Sequence, residues 1–262
     1  EGDTDGDGLT DGLEVNDKEA LQAVREELSS HGHEPIKRIY EEPGHGEAYC
    51  YQDPNGFLLE IYEGMESVNK TLPKNNLRPV KSGHITLMSQ DLKTSLAFYT
   101  EFFGFRISDT LEDNSLVWLR CNQEHHGIAI INAGVSKVNH YCFDLTDWNV
   151  FKHICDSLHF NNIPIIYGPS RHGPGGNLFI YIPDAAGNVI ELSTEMILVQ
   201  DEENYQPRAW KNEPKTVDVW RGIPAPSYFM EGEGREFNDW SSGSPVIGSG
   251  WSLFNIDGAD IL

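Results

Sequence analysis

The stretch His172-Gly-Pro-Gly-Gly-Asn-Leu-Phe-Ile-Tyr181-Ile-Pro-Asp-Ala-Ala-Gly187-Asn-Val-Ile-Glu191 decides how the rest of the chain reads. Apolar runs at 178–182 and 188–193 predict two strands, and Pro183-Asp-Ala-Ala-Gly187 predicts the tight turn between them. Such a hairpin fixes His172, Tyr181 and Glu191 relative to one another. Tyr181 and Glu191 interrupt otherwise apolar strands, where an unpaired hydroxyl alone costs roughly 2–7 kcal/mol. A carboxylate there needs a cation, and a metal ion is the obvious candidate.

Working outward, the hairpin has a copy: Asp53-Pro-Asn-Gly56-Phe-Leu-Leu-Glu60 parallels Asp184-Ala-Ala-Gly187-Asn-Val-Ile-Glu191. Upstream of the first copy, Leu21, Val24 and Leu28 at helical spacing, with Asp17 as N-cap, predict a helix over 17–31. Strands are predicted at 36–40, 48–51 and 57–62. A strand at 83–89, a helix at 92–103 and strands at 106–110, 116–121 and 127–131 make a second unit. A strand at 138–145, a helix at 147–160 and strands at 164–167, 178–182 and 188–193 make a third. The pattern predicts an α+β fold of repeated βαβββ units, two of them paired around a metal site. The expected domains are an acidic loop at 1–14, a partial N-terminal domain at 15–68 and a linker at 69–81. A catalytic domain at 82–199 and an irregular, partly disordered segment at 200–262 complete them.

The 262 residues, 39% hydrophobic and 23% charged, suffice for a large core. A net charge of -22 repels phosphate backbones and anionic lipid, which argues against nucleic-acid or membrane partners. No apolar run approaches the roughly 20 residues that cross a bilayer. Glu1-Gly2-Asp3 carries no signal-peptide features and no initiator Met, as in a processed chain or a fragment. Cys50, Cys121, Cys142 and Cys155 lack C-x-x-C spacing and read as reduced core or near-core thiols of a cytoplasmic protein.

Residues 1–14 stand apart. Asp3, Asp5, Asp7, Leu9, Asp11 and Glu14, with Gly8 at the turn, fit a twelve-residue calcium loop at every diagnostic position. The loop resembles those of EF-hand, dockerin and thrombospondin type 3 repeats, without an entering helix or a second copy. Bound Ca2+ and an acidic terminus foreign to the rest of the chain are both open readings.

The opening strand of the second unit carries His84, in Ser-Gly-His-Ile-Thr-Leu. His140, in Asn-His-Tyr-Cys-Phe, has the same place in the third, and the closing strand of that unit carries Glu191. Two imidazoles and one carboxylate on paired strands form a facial triad that favours Fe(II), with Mn(II) next. The first unit keeps Glu60, but the position matching His140 falls near Thr10, so no catalytic metal is expected there.

With these residues in hand, the chain from about Asp17 to Trp220 resembles the type I extradiol ring-cleaving dioxygenases of the vicinal oxygen chelate superfamily. The carriers are His172, the Gly-rich gap at 173–179, Ile180-Tyr181, Asp184 to Gly187, and Glu191; Ala185 stands where the family usually has Pro. The resemblance implies His84, His140 and Glu191 as iron ligands. It implies His126 as the distal histidine, preferred over the adjacent His125, and His172 and Tyr181 as the catalytic pair beside the metal. It also implies a catecholic substrate, O2, Fe(II) or Mn(II), and a homo-oligomer. His126 is then expected to stabilise developing negative charge on oxygen and to donate a proton, while Tyr181 and His172 hydrogen-bond the reacting oxygens. The family has two units in its N-terminal domain and this chain has one, which predicts an uncovered apolar face on that unit. A glyoxalase-type isomerase would need a second carboxylate on the strand at 127–131, and Gly127-Ile-Ala-Ile-Ile131 has none. A metal-free ligand-binding protein, or an inactive truncated paralogue, is the reading from another class.

Overall fold

The structure is a computed structural model that describes residues 18–40, 44–64, 77–227 and 229. The first unit comprises α1 (Lys18–Ser30), β1 (Lys37–Ile39), β2 (Ala48–Gln52) and β3 (Leu58–Tyr62), with the strands antiparallel in that order. Among the described residues it is therefore αβββ. The place of its opening strand near Thr10 and the whole calcium-type loop from Asp3 to Glu14 lie outside the described residues.

The second unit runs β4 (Lys81–Ser89), α2 (Leu92–Ala97), β5 (Arg106–Leu111), β6 (Leu116–Arg120) and β7 (Ile128–Asn132). The third runs β8 (Lys137–Asp144), α3 (Trp148–Phe160), β9 (Tyr167–Arg171), β10 (Leu178–Pro183) and β11 (Val189–Thr194). Asp91 and Asp147 start the two helices, each accepting two backbone N–H groups of the first turn. Beyond β11 come β12 (Arg208–Trp210) and α4 (Pro214–Val217).

One nine-stranded sheet holds the second and third units, in the order β12-β5-β6-β7-β4-β8-β11-β10-β9. In each unit the opening strand lies parallel to the closing one, β4 with β7 and β8 with β11. The units join where β4 meets β8 antiparallel. Period-2 alternation then sorts the side chains. On β10 and β11, Leu178, Ile180, Ile182, Ile190 and Leu192 pack under Val150, Phe151, Ile154 and Leu158 of α3. Tyr181 and Glu191, paired across the hairpin, face the other way, into the concave side.

Several expectations need correction. The helix expected at 92–103 is α2 followed by a π-helical turn, Phe98–Phe102, which lets Phe98, Phe102 and Phe103 all reach apolar neighbours. The strand expected at 164–167 lies later, at β9, because Gly168-Pro169 does not end it. β9 is an edge strand, and Pro169 sits where its pairing with β10 shifts register, so no ladder hydrogen bond is lost. The linker ends before 81: Leu77 packs on the third unit's core, and Val80 N–H donates to Asp144 O at 2.8 Å. The described part of 200–262 is irregular as expected apart from β12, which pairs with β5, and the one turn of α4 that follows it. Cys121 is exposed just past β6 rather than in the core, and all four cysteines are free. No helix among the described residues is long and apolar enough to cross a membrane.

Candidate metal centre

Three adjacent strands, β4, β8 and β11, bring His84, His140 and Glu191 to one point. All three are buried, Glu191 completely. His84 Nε2 and His140 Nε2 each lie 3.1 Å from the same Glu191 oxygen, Oε2. The other oxygen, Oε1, accepts from Asn177 Nδ2 at 3.1 Å, and Asn177 also donates to Ser193 Oγ at 2.8 Å.

Neighbours fix the ring orientations. Asn139 Nδ2 donates to the Phe229 carbonyl, which leaves its Oδ1 to accept from His140 Nδ1 at 2.7 Å. With the His140 proton on Nδ1, its Nε2 faces Glu191 and the Thr86 hydroxyl as a lone pair. His172 Nδ1 donates to the Val217 carbonyl at 2.6 Å, so its Nε2 accepts from Tyr181 OH at 3.2 Å. Val217 belongs to α4, so the C-terminal segment holds one of the site's histidines.

The electrostatics follow from burial and charge together. Burial alone would raise the Glu191 carboxyl, but the charge of His84 and the close approach of the His140 and His84 rings hold it well below the usual range. Burial pulls His84 down, but the charge and hydrogen bond of Glu191, with the charges of Asp144 and Glu124, together outweigh it, so His84 ends up raised. Burial, with His84 and His125 nearby, holds His126 well below its ordinary value, and burial likewise lowers His172. Burial and Glu191 push the Tyr181 phenol well up, so it stays a donor.

His126 forms part of the cavity wall, its ring centroid 4.5 Å from that of His84, and the Tyr181 ring lies 5.0 Å from His140. The cavity is about 480 Å³. Its apolar wall includes Leu111, Leu116, Trp118, Ile131, Val217 and Phe229, and its described lining holds no Lys or Arg.

A divalent ion fits this donor set. The Glu191 carboxylate is fully buried, and among the described residues its ion-pair partners are only His84, His140 and His172. Two imidazole nitrogens aimed at one carboxylate oxygen, at least one of them as a lone pair, need a cation between them. Cys142 adds a sulfur whose position, with His84 and Glu191, places three ligand atoms within 4.8 Å of one another. Burial and the Glu191 and Asp144 charges push that thiol well up, so it stays protonated and ligates poorly.

Sequence reasoning missed Asn177, Asn139, Cys142, the Val217 carbonyl, and Asp109 beneath His125. Asp109 stands in the polar run Ser-Asp-Thr of β5, which gives no hint that it meets the histidine pair. Asn177 was readable only as a member of the Gly-rich gap at 173–179.

The model of the Glyoxalase/Bleomycin resistance protein/Dioxygenase superfamily matches residues 81–192. A metapyrocatechase of Geobacillus stearothermophilus is 25% identical over 233 residues, 78% of this chain and 65% of that protein. A biphenyl-2,3-diol 1,2-dioxygenase of a Pseudomonas species is 31% identical over 153 residues, half of each chain. The Mn(II)-bound glyoxalase of Novosphingobium aromaticivorans superposes with a TM-score of 0.72 at 29% identity, covering 80% of this chain and 70% of that one. The chain thus spans 65% or less of these two curated relatives. Residues 81–192, which hold most of the paired second and third units, are thus similar to the Glyoxalase/Bleomycin resistance protein/Dioxygenase superfamily.

Proposed function

We propose that this chain carries the catalytic domain of a non-haem Fe(II) or Mn(II) extradiol dioxygenase, which opens a catecholic ring with O2 in aromatic-compound catabolism. The observation that carries the reading is the convergence of His84 Nε2 and His140 Nε2 on one oxygen of buried Glu191, at the floor of an apolar cavity. The names of similar proteins support both the catecholic substrate and a divalent metal.

The ion would supply Lewis acidity toward the two catechol oxygens and a place for O2 beside them. The chain's own groups do the rest. Neutral His126 is the cavity base for a substrate hydroxyl proton and later the acid that returns it. Tyr181 OH, held by His172 Nε2, is a fixed hydroxyl at the hydroxyl-bearing end of the ring. The apolar wall excludes water and orients the ring.

The same wall constrains the substrate. Ile85 pairs with Ile128, so Ile131 stands four residues beyond the level of His84, about 13 Å along the strand. A substituent on the ring has room there, and with no Lys or Arg in the described lining a carboxylate on it has no partner. Uncharged alkyl or aryl catechols fit best. The cavity-lining residues of β7, Ala129, Ile131 and Asn132, include no acid, which disfavours a glyoxalase-type isomerase.

The test is anaerobic loading with Fe(II) or Mn(II), addition of catechol, 2,3-dihydroxybiphenyl or a carboxylated catechol, and then air. Oxygen uptake with a yellow ring-fission product is expected for the first two and is lost in Glu191→Ala. Bound metal without turnover of any catechol would sink the dioxygenase reading. Failure to bind metal would leave a metal-free ligand-binding protein.

A further inference from the structure

We propose that Asp109 and His125 are positioning residues that fix which ring nitrogen His126 offers to the cavity. The catalytic consequence rests on the dioxygenase reading above; the geometry does not.

His125 and His126 are sequence neighbours whose rings stand nearly perpendicular, 5.2 Å apart at 88°. Their Nδ1 atoms are 2.9 Å apart, both buried. Two ring nitrogens at that distance share one proton, so one donates and the other accepts. The far side of His125 decides which. His125 Nε2 lies 3.1 Å from Asp109 Oδ2, on β5.

Asp109 is committed to accepting. Its Oδ2 also receives Trp210 Nε1–H at 2.7 Å, and its Oδ1 receives Arg208 N–H at 2.8 Å, both from β12. Burial would raise its carboxyl, but the hydrogen bonds from His125, Arg208 and Trp210 hold it lowered. A carboxylate with three donors cannot donate, so His125 carries its proton on Nε2. Its Nδ1 is then a lone pair, and His126 must donate from Nδ1. That leaves His126 Nε2 bare, as the ring's remaining nitrogen.

The order has a chemical meaning. A bare Nε2 accepts a substrate hydroxyl proton, whereas an Nε2–H cannot. Once His126 is protonated, its Nδ1–H donates to His125, which Asp109 holds in place, and the nearby carboxylate steadies the charge without taking a proton, much as a buried carboxylate steadies a catalytic imidazole elsewhere. Gly175 fences the ring on another side: an added Cβ there would lie 3.1 Å from His126 Cε1. The chain of contacts also ties His126 to the C-terminal segment, since β12 supplies two of the donors that hold Asp109.

The test reads tautomers directly, by long-range 1H–15N correlation of the imidazoles in metal-free protein at pH 8. The expected result is Nε2–H on His125 and Nδ1–H on His126. His125→Leu removes the acceptor, and His126 should revert to Nε2–H. His125→Asn restores an oxygen near the Nδ1 position and should keep Nδ1–H. In loaded enzyme His125→Leu should lower kcat about 100-fold, with KM for the catechol and metal content within about threefold, and His125→Asn should recover most of the loss. Nε2–H on His126 in the wild type, or a tautomer indifferent to both variants, would overturn the proposal. The expected tautomers in a protein that turns over no catechol would uphold the positioning role and sink only the dioxygenase reading.

Discussion

Asp144 shows what a buried carboxylate costs when its neighbours are also acidic. Burial, and then Glu124, push it up to about 6, with Lys81 only partly offsetting them. Its folded pKa thus lies above its ordinary value near 3.8. Between about pH 4 and pH 6 the folded state binds more protons than the unfolded one, so stability falls as pH rises through that window. Asp144→Asn removes the loss. Thermal melts of metal-free protein should show the variant more stable by about 2–3 kcal/mol at pH 8 and nearly equal to wild type at pH 4. A variant less stable at pH 8 would show that Asp144 is needed as a charge for Lys81. Glu191, a carboxylate of the same kind, was readable in the sequence because it interrupts an apolar strand and its neighbours in the hairpin are named by short-range spacing. Asp144 and Asp109 were not, because their partners come from elsewhere in the fold: Lys81 for the first, and His125 and Trp210 for the second.

At the scale of elements, the βαβββ repeats were legible because each rests on local signals: capped helices, period-2 strands and Gly-containing turns. The segment after β11 was illegible because its order is borrowed. β12 is three residues long and is held by pairing with β5 and by the Asp109 carboxylate, while α4 is one turn packed on the Gly-rich loop before β10. Gly173 is the contact point. Its N–H donates to Thr216 O at 2.9 Å, and an added Cβ would meet that oxygen at 2.8 Å and a Trp210 ring carbon at 2.9 Å. Gly173→Ala should therefore push α4 outward and draw the Val217 carbonyl away from His172. The expected outcome is about a 10–100-fold loss of kcat with the metal retained, since the triad strands lie elsewhere in the sheet. Metal analysis and single-turnover kinetics check it; loss of metal along with turnover would place the strain on the strands instead.

Across the whole molecule, the repeat in the sequence suggested three alike units but not how the first attaches. It docks through the turn that the repeat identified. Tyr99 OH donates to buried Asp53 at 3.1 Å, Ser89 Oγ donates to Asn55 at 2.9 Å, and Asn55 donates to Ser95 Oγ at 2.8 Å. Phe57 and Leu59 pack on the second unit's core, while Phe102 and Phe103 enter the first unit's core beside Leu28 and Tyr51. The apolar face expected to lie uncovered is thus partly satisfied within the chain, although Ile36, Tyr40 and Leu58 remain exposed, at 59%, 73% and 69%. Because the two cores share aromatic side chains, neither unit can lose its packing without exposing apolar surface of the other. The chain should melt in a single calorimetric transition, with the calorimetric and van't Hoff enthalpies equal. Phe102→Ala, at a half-buried position in that shared core, should lower the one transition by about 2 kcal/mol rather than split it. Two resolved transitions in the wild type would mean that the first unit is an appendage whose contacts with the metal-bearing domain contribute little to folding.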